Sequence, residues 1–162
     1  MSPIKLIVTG AGHLGRYHAQ KAMALDCVEL VGIMDVDPAK ASILANEVGV
    51  PVIDAYSREN ADAMVVATTT SAHAEVTCQA LESGLHTLVE KPIASTLEEA
   101  TRMVDSAKAN QRILAVGHSE RFNPAVSAAL SIATQPRYIT TERLSPFSGR
   151  SLDVDVILDL MI

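Results

Sequence analysis

The chain has 162 residues, which is long enough for one domain with its own hydrophobic core. Hydrophobic residues make up 48% of it and Trp is absent, a composition that favours helices on both faces of a parallel sheet over a β-sandwich. The formal net charge of −6 argues against nucleic acid or an anionic membrane as the main partner, because either needs a basic protein face.

Short apolar runs alternate with longer segments of helical period, which is the pattern of βαβ units. Six strands are predicted, at residues 5–9, 29–34, 52–54, 63–67, 87–89 and 113–116. Five helices are predicted, at residues 14–25, 39–48, 72–83, 97–110 and 124–133. Asp37 before Pro38 marks a helix start, and Gly49 and Gly84 mark helix ends. The predicted fold class is α/β, with a doubly wound parallel sheet.

The character of the sequence changes after Gln135. Residues 137–144 predict one more strand, 145–151 a loop, and 152–162 an apolar helix that stops without a cap, a glycine or a basic last turn. We therefore expect a first domain at residues 1–120. Residues 121–162 are expected to form a crossover and the truncated start of a second α/β domain.

Three glycines follow the first predicted strand in a GxGxxG pattern, at Gly10, Gly12 and Gly15. Such glycines allow a tight turn, let a pyrophosphate approach the backbone and let the helix pack on the strand. His13 and Leu14 then fall at a helix N-terminus that faces the phosphates. The motif predicts a Rossmann dinucleotide-binding domain, although by itself it also fits a glycine-rich turn without a ligand.

Asp35 ends the second predicted strand, twenty positions after Gly15. An acidic side chain there accepts hydrogen bonds from the adenosine ribose and repels a 2′-phosphate, which predicts NAD rather than NADP as the cofactor. The alternative role for Asp35 is that of a turn former before Asp37-Pro38. Arg16 could reach a phosphate but does not change the preference for NAD.

Glu90, Lys91 and Pro92 follow the fifth predicted strand, so that a cation lies at the crevice where open α/β sheets bind ligands. Spacing alone does not separate a functional lysine from a surface one. However, "VEKPIA", "GAGHLGRYHA", "ATTTSAHAE" and "VGHSERFNP" together resemble the Gfo/Idh/MocA family of oxidoreductases, and the resemblance covers the whole chain.

The resemblance implies an N-terminal Rossmann domain followed by an α/β domain with an open antiparallel sheet. It also implies that Lys91 lies beside the nicotinamide and the substrate alcohol, where an ammonium can polarise a carbonyl or stabilise an alkoxide. Glu90 precedes it in the same cofactor-contacting motif, so both residues are predicted to lie near the cofactor, and Lys91 near the substrate as well.

Two further segments are placed at the site by the resemblance. Thr68 and Thr69 lie in a cofactor-lining loop, where Thr69 replaces the usual proline. His73 is assigned either to cofactor contact or to packing at a helix start. His118, after the last predicted strand, is placed at the nicotinamide end of the cleft and near the substrate, with a structural histidine as the alternative.

The terminal helix resembles the family segment that carries Asp-x-x-x-His. Asp159 aligns with the aspartate, which implies a role in substrate contact and catalysis, and the chain stops where the histidine general base would be next. We therefore expect this chain to bind NAD without measurable turnover. Arg150, with Arg143, could bind a diphosphate or carboxylate of the substrate, or could simply be solvated.

The substrate implied by the resemblance is a sugar or nucleotide sugar, with the 3-hydroxyl of UDP-N-acetylglucosamine first and inositol or another polyol second. A non-catalytic NAD(H) sensor and a reductase of imines or biliverdin are the alternatives from other classes. Family members assemble through the second domain, so a homo-oligomer, either a dimer or a tetramer, is expected.

No basic leader and no apolar stretch of 18 residues precedes the first strand, so we predict no membrane span and a cytoplasmic protein. Cys27 and Cys78 are expected to be reduced thiols in ordinary packing. The histidines are scattered without metal-ligand spacing, so no metal site is predicted.

Overall fold

The computed structural model describes residues 2–135, 137–140 and 142. Within them one parallel sheet contains five strands: β1 (Ile4–Thr9), β2 (Val28–Met34), β3 (Ala63–Val66), β4 (His86–Val89) and β5 (Leu114–Val116). Their order is β2-β1-β3-β4-β5, and every pairing is parallel. Because β1 and β3 are neighbours, the chain changes direction across the sheet after β2, which opens a crevice at their carboxyl ends.

The helices are α1 (His13–Met23), α2 (Pro38–Val48), α3 (Thr70–Glu82), α4 (Leu97–Ala109) and α5 (Pro124–Ile132), with a 3-10 helix at Ser119–Phe122. The predicted caps are present. The Asp37 side chain accepts from the N–H groups of Ala39 and Lys40, and Gly49 ends α2 in the left-handed region at φ 73°. Thr96 and Glu99 form a capping box at the start of α4.

The sheet is covered on both faces, as the doubly wound prediction requires. Ile7 and Val8 are adjacent in β1 and fully buried, and they belong to separate hydrophobic clusters because successive strand residues point to opposite faces. Ala74 and Met103 pack with Ile7, so α3 and α4 cover that face. The other face is covered by α1 and α2. The predicted α/β fold with a doubly wound parallel sheet is confirmed.

The predicted strand at 52–54 is wrong. Val52 forms only an isolated parallel bridge to Ile33, in which the Ile33 N–H donates to Pro51 and the Ile53 N–H donates to Ile33. Pro51 has no N–H to donate, so pairing does not extend before Val52, and the segment adds no further strand to the sheet.

The strand predicted at residues 137–144 is not seen at its described positions. Residues 137–140 and 142 lie outside any helix or strand, and Tyr138 and Ile139 are 88% and 69% exposed. The remaining positions of that segment, the loop at 145–151 and the predicted terminal helix lie outside the described residues. Among the described residues, no helix is both long and apolar enough to cross a membrane.

The two cysteines differ in their surroundings. Cys78 in α3 is buried, as expected, and burial is the main cause that raises the pKa of its thiol. Cys27 is exposed in the turn before β2, so ordinary core packing is wrong for it. The buried residues near Cys27 in sequence lie in β2, whereas Cys27 itself lies in the preceding turn at the surface.

Candidate active site at the carboxyl edge of the sheet

The three glycines after β1 have different reasons for being glycine. Gly10 has φ 97°, and a Cβ there would overlap the Ala67 carbonyl oxygen after β3. A Cβ on Gly15 would overlap the Gly10 carbonyl oxygen, so its absence lets α1 pack closely on the loop. Gly12 has φ −78°, and a Cβ there would meet nothing within 4 Å. The space beside Gly12 is therefore open for a ligand.

The first turn of α1 faces that open space. The helix begins at His13, and no side chain caps it at Gly12. The first N–H groups of a helix have no partner within the helix, and the helix dipole adds a partial positive charge there. His13 and Leu14 are both exposed in this turn, and the His13 ring packs edge-to-face on Tyr17 with centroids 4.8 Å apart. An open glycine beside uncapped amides fits a dinucleotide pyrophosphate.

Asp35 fastens the glycine loop to the end of β2. One carboxylate oxygen, Oδ2, accepts from the Ala11 N–H at 2.6 Å, and Oδ1 accepts from the Asp37 N–H at 2.8 Å. Asp35 therefore acts as a turn former, which is the alternative role that the sequence offers for it. A carboxylate oxygen has two acceptor positions, so the same group retains capacity for ribose hydroxyls. Arg16 pairs with Glu47 of α2 at 3.2 Å.

The end of β4 is held between its two neighbours. The Glu90 N–H donates to Val66 at 2.9 Å, and the Gly117 N–H donates to Val89 at 2.8 Å, so the sheet pairing continues just past the assigned strands. This places Glu90 and Lys91 at the carboxyl end of β4, between β3 and β5, and the peptide bond between Lys91 and Pro92 is cis. Lys91 therefore lies at the carboxyl end of the sheet, and its role beside the nicotinamide stays a prediction.

The Glu90 side chain is buried and charged. Its Oε1 lies 2.6 Å from His18 Nε2, and its Oε2 accepts from the Lys91 N–H at 3.2 Å. Burial acts to raise the pKa of Glu90, but the hydrogen bond and charge of His18, with the N–H and ammonium of Lys91, outweigh it and hold the pKa below its usual range. Glu90 is therefore a carboxylate at neutral pH, and because it can only accept, His18 Nε2 carries the hydrogen.

His18 is a site residue that the sequence reasoning missed. His18 lies within the run "GAGHLGRYHA", and the glycine motif gives no role to this position. Its position three residues after Gly15 is a usable signal, because residues three apart lie on one face of a helix and Gly15 faces the sheet. That face directs the ring towards the strand ends.

The loop after β3 is joined to the loop after β4 by His73. The ring is buried, with Nδ1 2.9 Å from the Pro92 carbonyl oxygen and Nε2 3.3 Å from that of Thr68. These contacts correspond to the packing alternative for His73. Thr68 is half-buried, and Thr69 is exposed as the N-cap residue of α3, so both remain at the crevice edge.

His118 lies directly after Gly117, at the carboxyl end of β5. Its side chain is exposed, which does not fit a buried structural histidine. Its N–H donates to Val116 at 2.8 Å, and its carbonyl accepts from the Arg121 N–H at 3.1 Å, which fixes the turn into the 3-10 helix. The backbone is thus well placed to present the imidazole at this edge.

The predicted cofactor residues from β1, β2, β3, β4 and β5 are all brought to one edge of the sheet. Arg143, Arg150 and Asp159, predicted for substrate binding and catalysis, lie outside the described residues. In the described part of the chain, no group of three or more His, Cys, Asp or Glu side chains could hold a metal ion.

Comparison with known proteins agrees with this geometry. Residues 4–118 match the oxidoreductase family with an NAD-binding Rossmann fold, Gfo/Idh/MocA. The chain belongs to the Gfo/Idh/MocA oxidoreductase family. The family resemblance inferred from the sequence motifs is confirmed.

The chain is similar to a curated dehydrogenase over nearly its whole length. It is 42% identical over 159 residues to UDP-N-acetylglucosamine 3-dehydrogenase from Acidithiobacillus ferrooxidans, covering 96% of this chain and 50% of that protein. The solved structure of that enzyme superposes with a TM-score of 0.89 at 38% identity, covering 99% of this chain and 54% of that one.

More distant relatives carry other activities. The chain is 31% identical over 135 residues to scyllo-inositol 2-dehydrogenase (NAD(+)) from Bacillus subtilis, covering 78% of this chain and 39% of that protein. It is 26% identical to a structure of GenD2 from gentamicin A biosynthesis in complex with NAD, with a TM-score of 0.78 and coverage of 82% and 39%. The chain spans about half the length of the curated relative that it matches over 159 residues.

Proposed function

We propose that this chain is the cofactor-binding part of an NAD-dependent dehydrogenase that oxidises a secondary alcohol of a nucleotide sugar. The first candidate is the 3-hydroxyl of UDP-N-acetylglucosamine. The observation that carries the proposal is the placement of Lys91 after β4, at the same sheet edge as the glycine loop after β1. The substrate rests on similarity to a UDP-N-acetylglucosamine 3-dehydrogenase.

The residues fit a dinucleotide from one end to the other. The pyrophosphate is held by the first-turn amides of α1 beside Gly12, where the backbone is open. The adenosine ribose is held by Asp35, whose negative charge disfavours a 2′-phosphate, so we propose NAD over NADP. Thr68, Thr69 and His118 line the remaining length of the crevice edge.

When bound, the nicotinamide supplies the acceptor or donor of a hydride. The chain's own contribution is electrostatic. The Lys91 ammonium stabilises negative charge on the substrate oxygen as the alcohol is oxidised, or polarises the carbonyl in the reverse direction. Asp159, and Arg150 with it, are proposed to contact the substrate from the segment beyond the described residues.

We also propose that residues 1–120 are the NAD-binding domain and that residues 121–162 begin a substrate domain. The described α5 suits such a boundary because Val126, Leu130 and Ile132 are exposed apolar residues on it. A homo-oligomer formed through that second domain is the proposed assembly, which light scattering at several concentrations tests directly.

The test is a substrate panel with the polypeptide encoded by the whole reading frame. UDP-N-acetylglucosamine, UDP-glucose, UDP-N-acetylgalactosamine, free N-acetylglucosamine and inositols are offered with NAD, and NADH formation is followed at 340 nm. Fastest turnover of UDP-N-acetylglucosamine, with little turnover of the free sugar, is the expected result. Oxidation of inositols instead would support the polyol dehydrogenase, the second candidate, which the scyllo-inositol relative favours.

Cofactor choice is tested separately by fluorescence titration with NADH and NADPH. Tighter binding of NADH is expected from Asp35, and tighter binding of NADPH would overturn that assignment. NADH binding without turnover of any alcohol in the panel would overturn the proposed dehydrogenase activity. It would favour the alternative, a non-catalytic NAD(H) sensor.

A further inference from the structure

The His18–Glu90 contact joins two elements that serve different parts of the site. His18 lies in the second turn of α1, the helix whose first turn faces the pyrophosphate position, while Glu90 directly follows β4. Their Nε2 and Oε1 atoms are 2.6 Å apart, and the side chains are only 25% and 12% exposed. A short contact of this kind, largely shielded from water, holds its geometry better than a surface ion pair does.

The Glu90 carboxylate has neighbours on several sides. A Cβ on Gly117 would be 2.9 Å from both carboxylate oxygens, so the group packs directly against the backbone of the loop after β5. On the other side Oε1 meets the His18 ring, and Oε2 receives the Lys91 N–H. The carboxylate is therefore fixed by three elements at once, α1, β4 and the loop after β5.

What the carboxylate fixes in turn is Lys91. Its Oε2 accepts from the backbone N–H of Lys91, which is bonded to the Cα that bears the lysine side chain, and the carboxylate and the ammonium also interact electrostatically. Release of Glu90 by loss of His18 would loosen both the Lys91 backbone and the field around its ammonium.

From this arrangement we propose that His18 and Glu90 are positioning residues for Lys91, which link the phosphate-facing helix α1 to the lysine that acts on the substrate oxygen. The inference rests on the proposed function, because Lys91 must take part in the chemistry. It adds a residue, His18, and a route by which the cofactor-binding helix sets the geometry of the reacting edge.

A double-mutant cycle on the full-length protein tests the positioning role. His18→Leu removes the donor, whereas His18→Gln keeps an N–H donor at the position of Nε2. His18→Leu should lower kcat at least tenfold with the KM for NAD within about threefold, and His18→Gln should recover most of the loss. In a Lys91→Ala background, His18→Leu should cost less than about twofold more, because the group that it positions is gone.

The matched control is Gln20→Ala on the same helix, where the exposed Gln20 side chain donates to Glu47 Oε1 at 3.0 Å. It should match the wild type in both backgrounds. An equal loss from His18→Leu with and without Lys91 would show a merely structural role and would overturn the inference. Failure of His18→Gln to restore activity would do the same.

A second measurement does not depend on turnover. The Lys91 N–H is held by Glu90, so its hydrogen exchange, followed by NMR, should be at least tenfold faster in His18→Leu and close to wild type in His18→Gln. If His18→Leu does not fold, Glu90→Gln, which keeps the shape of the side chain, should still speed exchange at Lys91. Unchanged exchange in these variants would overturn the inference.

The two failures are distinguishable. A wild-type protein that binds NADH but oxidises nothing in the panel overturns the proposed function, and the chemical role of Lys91 falls with it. If the wild-type protein turns over its substrate but hydrogen exchange of the Lys91 N–H is unchanged in His18→Leu, only the inference is overturned.

Discussion

The glycine loop after β1 and the strand ends after β4 and β5 share one edge of the sheet but are held by different interactions. The loop depends on backbone: Gly10 and Gly15 leave no room for a Cβ, and Asp35 accepts two backbone N–H groups. The strand ends depend on charged side chains, with the buried Glu90 carboxylate set between His18 and the backbone of Gly117.

This difference predicts different responses to substitution. Glycine positions that leave no room for a Cβ are sensitive to added atoms. A site made from side chains is sensitive to charge, to hydrogen-bond donors and to pH. Substitutions in the loop should therefore act on folding or cofactor binding, whereas those at the strand ends should act on the chemical step.

The largest effect is expected for Lys91→Ala in the whole protein. Loss of the ammonium should lower kcat by about 10²- to 10³-fold, because charge that develops on the substrate oxygen loses its stabilising group. The NADH affinity should stay within about threefold of wild type, as measured by fluorescence titration. Lys108→Ala, at an exposed position on α4, is the control, and a near-wild-type kcat for Lys91→Ala would remove the lysine from the chemistry.

A paired substitution separates the two kinds of glycine in the loop. Gly15→Ala forces a methyl group into the Gly10 carbonyl and should cost at least about 2 kcal/mol in urea unfolding. Gly12→Ala adds a methyl to open space, so the free energy of unfolding should stay within about 0.5 kcal/mol.

For the same Gly12→Ala protein, NADH affinity should fall by about tenfold, or about 1.4 kcal/mol, because the methyl lies where the pyrophosphate approaches the backbone. Unchanged NADH binding would show that the open space beside Gly12 is not the phosphate site. That result would contradict the cofactor-binding role of the glycine loop after β1.

A smaller effect is expected for Asp35→Asn, which removes the charge while one oxygen still accepts a backbone N–H. The ratio of the NADH to the NADPH dissociation constant should rise by several-fold, up to about tenfold, as the 2′-phosphate is no longer repelled. Asp62→Asn is the control, because Asp62 also accepts a backbone N–H, that of Lys5, but lies at the amino end of β3. An equal change in both variants would make charge at Asp35 irrelevant to selectivity.

The smallest effect is a change in how stability depends on pH. Because the pKa of Glu90 is lowered in the folded protein, the unfolded chain binds more protons between the ordinary value of 4.5 and the folded value. The stabilising contribution is present above that ordinary value and is lost as the pH falls through the folded value. Glu90→Gln should therefore show a shallower loss of unfolding free energy on acidification.

Urea unfolding at a series of pH values from 7 down to 3 measures this slope. Glu59→Gln, in an exposed turn, should keep the wild-type slope. If Glu90→Gln retained the wild-type slope as well, the Glu90 carboxylate would not be the buried charge that the geometry describes.

The loop region could be predicted from the sequence because its rules are local. Glycine spacing, the acid at the next strand end and the Asp37-Pro38 cap each depend on neighbours within a few residues. The bounds of five of the six predicted strands agreed with the structure to within about one residue at each end. The strand predicted at residues 52–54 was wrong. The apolar run after Pro51 has strand character, but it makes only an isolated bridge between Val52 and Ile33.

The strand-end region could be predicted only in part. Lys91 was found through a family motif, but the His18–Glu90 contact joins residues 72 positions apart, and no local pattern encodes which helix faces which strand end. The choice between the two roles of His73 likewise needed the position of the Pro92 carbonyl. Such contacts follow from the strand order, which the apolar pattern does not specify.

The missing side chain at Gly117 has a consequence for how this protein can change over time. Because the two oxygens of Glu90 occupy the volume that a methyl group at 117 would need, position 117 cannot gain a side chain while the Glu90 carboxylate keeps its place. A larger residue at 117 becomes acceptable only after the acid at 90 is shortened or withdrawn. Substitutions at the two positions should therefore arise together in descendants of this sequence, and directed evolution of a new specificity should treat them as one unit.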